Sequence, residues 1–196
     1  RKKWGEKRGA QFLAADAESI YAVPGGWHIK TDMLIRLDKK TGEYKPFVKA
    51  GQPRPFDLPF TEIFGEGDHN PAGLAVTGEH LVVLLSNRVA FLDRNSAEVL
   101  KSIDVPPLKG IAAASDGILY AIDTQSVYRI DGKLDKISTR GLEKPAAIAV
   151  DNQGNIVVAD AGTDMQVKAF TPRGKLVYTC GRKGGRPTRG KFDPQA

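Results

Sequence analysis

His28 and His69 are the residues of this chain whose type and loop setting best suit ligand or metal chemistry. His28 stands in Pro24-Gly-Gly-Trp-His-Ile-Lys30 and His69 in Glu66-Gly-Asp-His-Asn-Pro71, so Trp27 adjoins one imidazole and Asp68 the other. Two imidazoles and a carboxylate form a donor set for a divalent transition metal. A Trp beside polar side chains also suits recognition of a protein, a peptide, a sugar or another small polar ligand. No close ligand spacing ties the two histidines together, so the expectation is a site without a cofactor, with a divalent metal on His28 and His69 as its subordinate version. Asp160, at the end of the apolar run Ile156-Val-Val-Ala159, completes the candidate ligand-binding set. The third histidine, His80, is expected to be an exposed turn residue. The sequence contains no recognisable Ser-His-Asp context, no His-Glu-x-x-His, no Cys-x-x-Cys and no phosphate-cradling Gly loop before a helix, so no catalytic residue is assigned.

The elements that hold these loops repeat along the chain. Pro71-Ala-Gly-Leu-Ala-Val76, Leu108-Lys-Gly-Ile-Ala-Ala113 and Pro145-Ala-Ala-Ile-Ala-Val150 begin 37 residues apart. Each is followed by a second apolar run (Leu81 to Leu85, Ile118 to Ile122, Ile156 to Ala159) and a third (Val89 to Leu92, Val127 to Ile130, Val167 to Phe170). A more polar fourth stretch closes each unit (Ala97 to Val105, Lys133 to Thr139, Lys175 to Cys180). The runs are too short for helices, and Asp-Gly, Gln-Gly-Asn and Asp-Arg-Asn-Ser between them are turn chemistry. Four short strands per repeat predict an all-β chain, a β-propeller of four-stranded antiparallel blades. Burial gives the period its physical reason: one meander cannot offset its ordering entropy alone, so blades stack. The fourth strand, with an exposed edge, takes Lys, Asp, Ser and Thr.

A less regular first blade precedes these three, with strands at Ala10 to Asp16, Ser19 to Val23, Met33 to Leu37 and Glu43 to Phe47. The blades thus fall at about 10–48, 70–105, 108–140 and 144–180, with a long insertion at 49–69. Asp38, Asp93 and Asp131, each leaving a third strand, are expected to cap the following turn. Ile148, Val150, Ile156 and Val158 should fill the inner face of the fourth blade and its contact with the third. In a propeller, the entry loops and the loops joining strands two and three emerge on one face. Trp27, His28, Asp68 and His69 are therefore expected around one mouth, with Asp160 near it.

The charge is uneven. The formal net charge of +6 is concentrated in Arg1-Lys-Lys-Trp-Gly-Glu-Lys-Arg8 and Arg182-Lys-Gly-Gly-Arg-Pro-Thr-Arg-Gly-Lys191. Basic ends can bind nucleic acid, but no aromatic-rich strand face accompanies them and the central repeats carry mixed charge, which disfavours that partner. No run approaches the roughly 18 apolar residues of a membrane-spanning helix. The single Cys180 excludes an intramolecular disulfide. A start on Arg1 in place of Met fits a removed leader or upstream domain and weighs toward export.

The fourth unit carries a family resemblance. Lys144-Pro-Ala-Ala-Ile-Ala-Val-Asp-Asn-Gln-Gly-Asn-Ile-Val-Val-Ala-Asp160, then Gln166-Val-Lys-Ala-Phe170 and Gly174-Lys-Leu-Val-Tyr178, resembles the NHL repeat. Pro145, Asp151, Gly154, Val158, Asp160, Phe170 and Gly174 occupy that pattern's positions, while Thr163, Asp164 and Met165 depart from it. Gly184 to Pro194 is similar to the entry segment of a further NHL blade. The resemblance implies a larger ring of about six blades, with the remaining blades or a second chain covering open blade faces. It also implies a non-catalytic recognition or scaffold role. The alternative it implies is a metal-dependent lactonase or lyase completed by other blades, but the positions aligned with Asp160 are Val23, Leu85 and Ile122, none of them a carboxylate.

Overall fold

Alternating apolar and turn segments fold into four four-stranded antiparallel sheets in the computed structural model, which describes residues 9–25, 32–67 and 69–185. The chain divides into two compact units, Arg1–Ile111 and Ala112–Ala196. The first sheet holds β1 (Gly9–Ala15), β2 (Ser19–Gly25) and β3 (Met33–Asp38). A two-stranded excursion follows, β4 (Val48–Lys49) with β5 (Gln52–Pro53), and then β6 (Leu58–Pro59), which joins the first sheet beside β3. One short helix, α1 (Phe60–Phe64), leads to the second sheet: β7 (Pro71–Val76), β8 (His80–Leu85), β9 (Arg88–Asp93) and β10 (Val99–Asp104).

The third sheet runs β11 (Gly110–Ala113), β12 (Leu119–Ile122), β13 (Val127–Ile130) and β14 (Leu134–Ile137), with the boundary between units inside β11. The fourth runs β15 (Pro145–Val150), β16 (Ile156–Asp160), β17 (Val167–Phe170) and β18 (Leu176–Cys180). In each sheet the strands follow one another across the sheet in chain order.

The first sheet differs from its sequence expectation at its outer edge. Glu43 to Phe47 contributes only the isolated bridge Leu37↔Tyr44, and the fourth strand is instead β6, paired through Met33↔Pro59 and Leu34↔Leu58. Pro46 has no N–H to give a ladder. Phe47 turns inward, 1% exposed, and stacks at 6.3 Å from Tyr21. Burying that ring outweighs a few edge hydrogen bonds, so the chain leaves the sheet and returns at Leu58.

The core of the first unit lies between its two sheets, where Tyr21, Val23, Leu34 and Phe60 meet Leu74, Leu81, Val83 and Leu92. In the second unit Tyr120, Ile122, Val127 and Ile137 meet Ile156, Val158 and Phe170, with Ile148 and Val150 packed against them. Each such side chain contributes roughly 1.5–3 kcal/mol when fully buried. Gly174, at φ +84°, sits in the β17–β18 turn directly against the carbonyl of Ser138, so a Cβ there would strike backbone of the neighbouring sheet.

Asp38 caps its turn through the N–H groups of Lys40 and Thr41, and Asp93 does so through Asn95 and Ser96. Asp131 does not: it accepts from Arg129 Nη2 at 2.7 Å, and Gly132, at φ +72°, makes the turn without a cap. His80 begins β8 rather than standing in a turn, and meets the Phe91 ring edge-on at 5.8 Å.

Candidate functional site

Within each unit the strand order brings entry loops and the loops between second and third strands to the same end of the sheets. In the second sheet Pro71 pairs with Leu85, which sets His69 and Asn70 beside the turn at Ser86 and Asn87, and Ser86 Oγ donates to the Asn70 carbonyl at 3.4 Å. At the matching end of the first sheet, Phe60 N–H donates to the Asp32 carbonyl at 2.7 Å, fixing α1 against the start of β3. Trp27, His28 and Asp68 lie outside the described residues; Gly25 and Asp32, which bracket the first two, stand at this same end. The basic segments Arg1 to Arg8 and Arg186 to Lys191, and the end of the entry-like segment, also fall outside them.

His69 is built into this end by α1. Its Nε2 bonds the Gly65 carbonyl at 2.8 Å and so carries a proton, which leaves Nδ1 as an acceptor in the neutral ring. The imidazole lies 5.4 Å from the Phe64 ring, and the Arg88 guanidinium sits over the same ring at 5.3 Å. Phe60, fully buried, packs 5.7 Å from Phe64 and anchors the stack to the core. The result is a half-exposed layer of cation, aromatic ring and imidazole carried on rigid elements. Arg88 escapes a search for chemistry-bearing spacing because it lies twenty-four residues from the Phe64 ring it covers, and Phe64, five residues before His69, because an apolar ring carries no such signal.

Asp160 stands at the equivalent end of the fourth sheet, paired across from Pro145, with its side chain fully buried. Its oxygens accept from Lys144 N–H at 2.8 Å, Gly162 N–H at 3.0 Å, Glu143 N–H at 3.3 Å and Lys168 Nζ at 2.7 Å. Lys168 also bonds Asp164 at 3.1 Å and the Gly141 carbonyl. Burial pushes the Asp160 pKa up, but the Lys168 bond and the three backbone donors outweigh it and hold the carboxyl below its ordinary value. Asp160 therefore ties the entry loop to the β16–β17 loop, and its bonding capacity is taken up inside the fold. Among the described residues no three of His, Cys, Asp and Glu come together in a metal-binding group.

No protein-family model matches the chain, and no curated protein matches its sequence. Solved structures do match in shape. Virginiamycin B lyase from Staphylococcus aureus, solved with quinupristin, aligns with a TM-score of 0.58 at 13% identity over 94% of this chain and 72% of that one. The WD40 β-propeller domain of Doa1 gives 0.58 at 13% identity over 93% of this chain and 55% of that one. A chain of the mitotic checkpoint complex gives 0.57 at 14% over 87% and 51%. The fold is that of a β-propeller. Four blades lie among the described residues, and the chain spans about half to three-quarters of the length of these neighbours. Their identities are low enough that the likeness speaks for the fold alone.

Proposed function

We propose that this chain is a non-catalytic recognition propeller of NHL-like type that binds a protein, a peptide or a small polar ligand on its entry-loop face. The observation that carries the reading is the Arg88–Phe64–His69 layer, an aromatic ring flanked by a cation and an imidazole with an open acceptor. Such a layer offers stacking, charge and a directional hydrogen bond together, and the rigid blades beneath reduce the ordering cost of binding. Trp27, His28 and Asp68 belong to the same proposed face by their place in the chain, and a divalent metal on His28 and His69 is its subordinate form. The commitment of Asp160 to Lys168 favours recognition over a metal-dependent lyase, which would draw on carboxylates at such strand ends. A chain of the mitotic checkpoint complex and virginiamycin B lyase share the fold, so both protein and small-molecule partners belong in the test.

The test is a selection of random peptides and a panel of polar small molecules against the immobilised chain, repeated with the Phe64→Ala/Arg88→Ala double variant. Ligands selected on the unmodified chain should lose about tenfold or more in Kd on the double variant, and should bind an Arg129→Ala control unchanged. Equal affinity for all three proteins would remove this face as the site. Turnover of a panel member by the unmodified chain would move the reading to the enzyme.

A further inference from the structure

A second site of different character opens at the other end of the strands in the first unit. There the β1–β2 turn, Asp16 to Glu18, faces the β9–β10 turn at Arg94 and Asn95, across a half-open cleft of about 260 Å³. Arg36 forms its inner wall. This side chain projects from the middle of an otherwise apolar strand and is only 7% exposed. Its guanidinium lies 5.8 Å from the rings of both Tyr21 and Phe47, donates Nε to Ser19 Oγ at 3.1 Å and donates Nη2 to Asn95 Oδ1 at 3.2 Å.

What the walls leave unused decides the ligand. Asp16 is saturated: Oδ1 accepts from Glu18 and Ser19 N–H at 2.8 and 2.7 Å, and Oδ2 accepts from Tyr21 OH at 3.1 Å and Arg94 Nη1 at 3.3 Å. The remaining capacity is on the donors. Among the described residues Arg36 Nη1, Arg94 Nε and Nη2, and the Asn95 side-chain amide nitrogen have no hydrogen-bond partner. A buried guanidinium packed against two rings and held by hydrogen bonds to Ser19 and Asn95 is preorganised, so little side-chain entropy is lost when it engages a ligand. Glu18 also borders the cleft but is turned to Lys45 at 3.3 Å and is mostly in solvent, where its charge is screened.

We propose that this cleft binds a small oxyanion, with the guanidinium groups of Arg36 and Arg94 and the amide of Asn95 as its donors. The planar fork of a guanidinium matches a carboxylate and equally a phosphate. The cleft has room for the anionic group and about one residue's worth of attached ligand. This site is independent of the entry-loop reading, since it lies at the opposite strand ends and shares no residue with it.

The probes are N-acetylalanine, N-acetylalaninamide and inorganic phosphate, titrated to about 10 mM into the isotope-labelled chain and followed through the Asn95 side-chain amide and arginine Nε–H resonances. At least one oxyanion should shift these signals saturably, while the neutral amide should leave them in place. A carboxylate that binds more tightly than phosphate points to an acidic metabolite or a peptide C-terminus, and the reverse order to a phosphorylated ligand. Arg94→Gln should weaken binding by about tenfold or more. Because that change also alters the Asp16 cluster, Ala17→Glu provides an independent block: it places a carboxylate at an exposed position on the cleft wall and should abolish binding with the melting temperature unchanged. Absence of saturable shifts with both anions overturns the proposal, and so do shifts that persist equally in both variants, which would reflect diffuse attraction to a chain of net charge +6.

Discussion

Asp16 in the first unit and Asp160 in the second each accept backbone N–H groups from an adjoining turn and a charged hydrogen bond from a basic side chain, yet one borders a cleft and the other is sealed. The cation accounts for much of the difference. Lys168 is a point donor whose three protons go to Asp160, Asp164 and the Gly141 carbonyl, so burying it leaves nothing over. Arg36 and Arg94 carry five donors each in fixed planes, and a single carboxylate with a few neutral partners cannot absorb them. A buried lysine with enough acceptors closes a structural joint, whereas buried and half-buried arginines with too few leave a surface that still seeks an anion.

The strongest way to break this comparison is to remove the cation from the closed cluster. Lys168→Met leaves the Asp160 carboxylate buried against backbone donors alone, and should cost about 3–5 kcal/mol in urea denaturation with an unchanged m-value. The partner Asp164 is a quarter exposed and can turn to Lys183 at 3.4 Å, so it should contribute little to that loss. A cost under about 1 kcal/mol would mean that the pair is hydrated and that the two clusters are alike.

The pH dependence sharpens the same contrast. The Asp160 pKa lies below the ordinary 3.8, so its contribution is present above that value and is lost as pH falls through the lowered one. Burial would lower the Lys168 pKa, but bonding to Asp160 and Asp164 outweighs it and raises the value above 10.5; that contribution is present below 10.5 and lost as pH rises through the raised value. Asp16 is also lowered: burial opposes, and the Glu18 and Ser19 N–H groups, Tyr21 and Arg94 prevail. The first cluster loses stability in alkali through Tyr21, whose pKa burial raises above 10.0, so that its contribution is present below that value and lost as pH rises through the raised one. Stability measured against pH should therefore show an alkaline fall that Lys168→Met reduces and Tyr21→Phe reduces separately. An alkaline limb unchanged by Lys168→Met would show that its ammonium is not held by the fold.

The blades were legible because burial imposes strand-length apolar runs at a fixed spacing, and the pairs Leu85 with Pro71 and Asp160 with Pro145 fall where the repeat placed them. The edge of the first sheet was less so. Glu43 to Phe47 reads as a strand, and only the packing of Phe47 on Tyr21 and Arg36 explains its departure. Both charged clusters left a trace that spacing rules overlook: Arg36 interrupts Leu34-Ile35 and Leu37, and Lys168 interrupts Val167 and Ala169-Phe170, in strands otherwise apolar. A cation in a buried strand demands acceptors, which points to Asp160 eight residues earlier in the chain. The acceptors of Arg36 are seventeen and fifty-nine residues away, on the neighbouring strand and on a turn of another sheet, so no local pattern announces the cleft.

The smallest expected effect lies on the open side. Arg94 and Asp16 are 3.3 Å apart with side chains 33% and 15% exposed, so solvent screens the pair and Arg94→Gln should cost less than about 1 kcal/mol. Tyr21→Phe removes a 3.1 Å bond to the same Asp16 oxygen and should cost about 1 kcal/mol, since three other donors still hold the carboxylate. Because both act on Oδ2, the double variant should depart from additivity by a few tenths of a kcal/mol. Arg94→Gln would then separate stability from binding, with a nearly intact fold and a weakened oxyanion site. A loss near 3 kcal/mol on Arg94→Gln would instead place Arg94 in the same role as Lys168, a sealed structural cation, and the distinction between the two clusters would fail at its weakest joint.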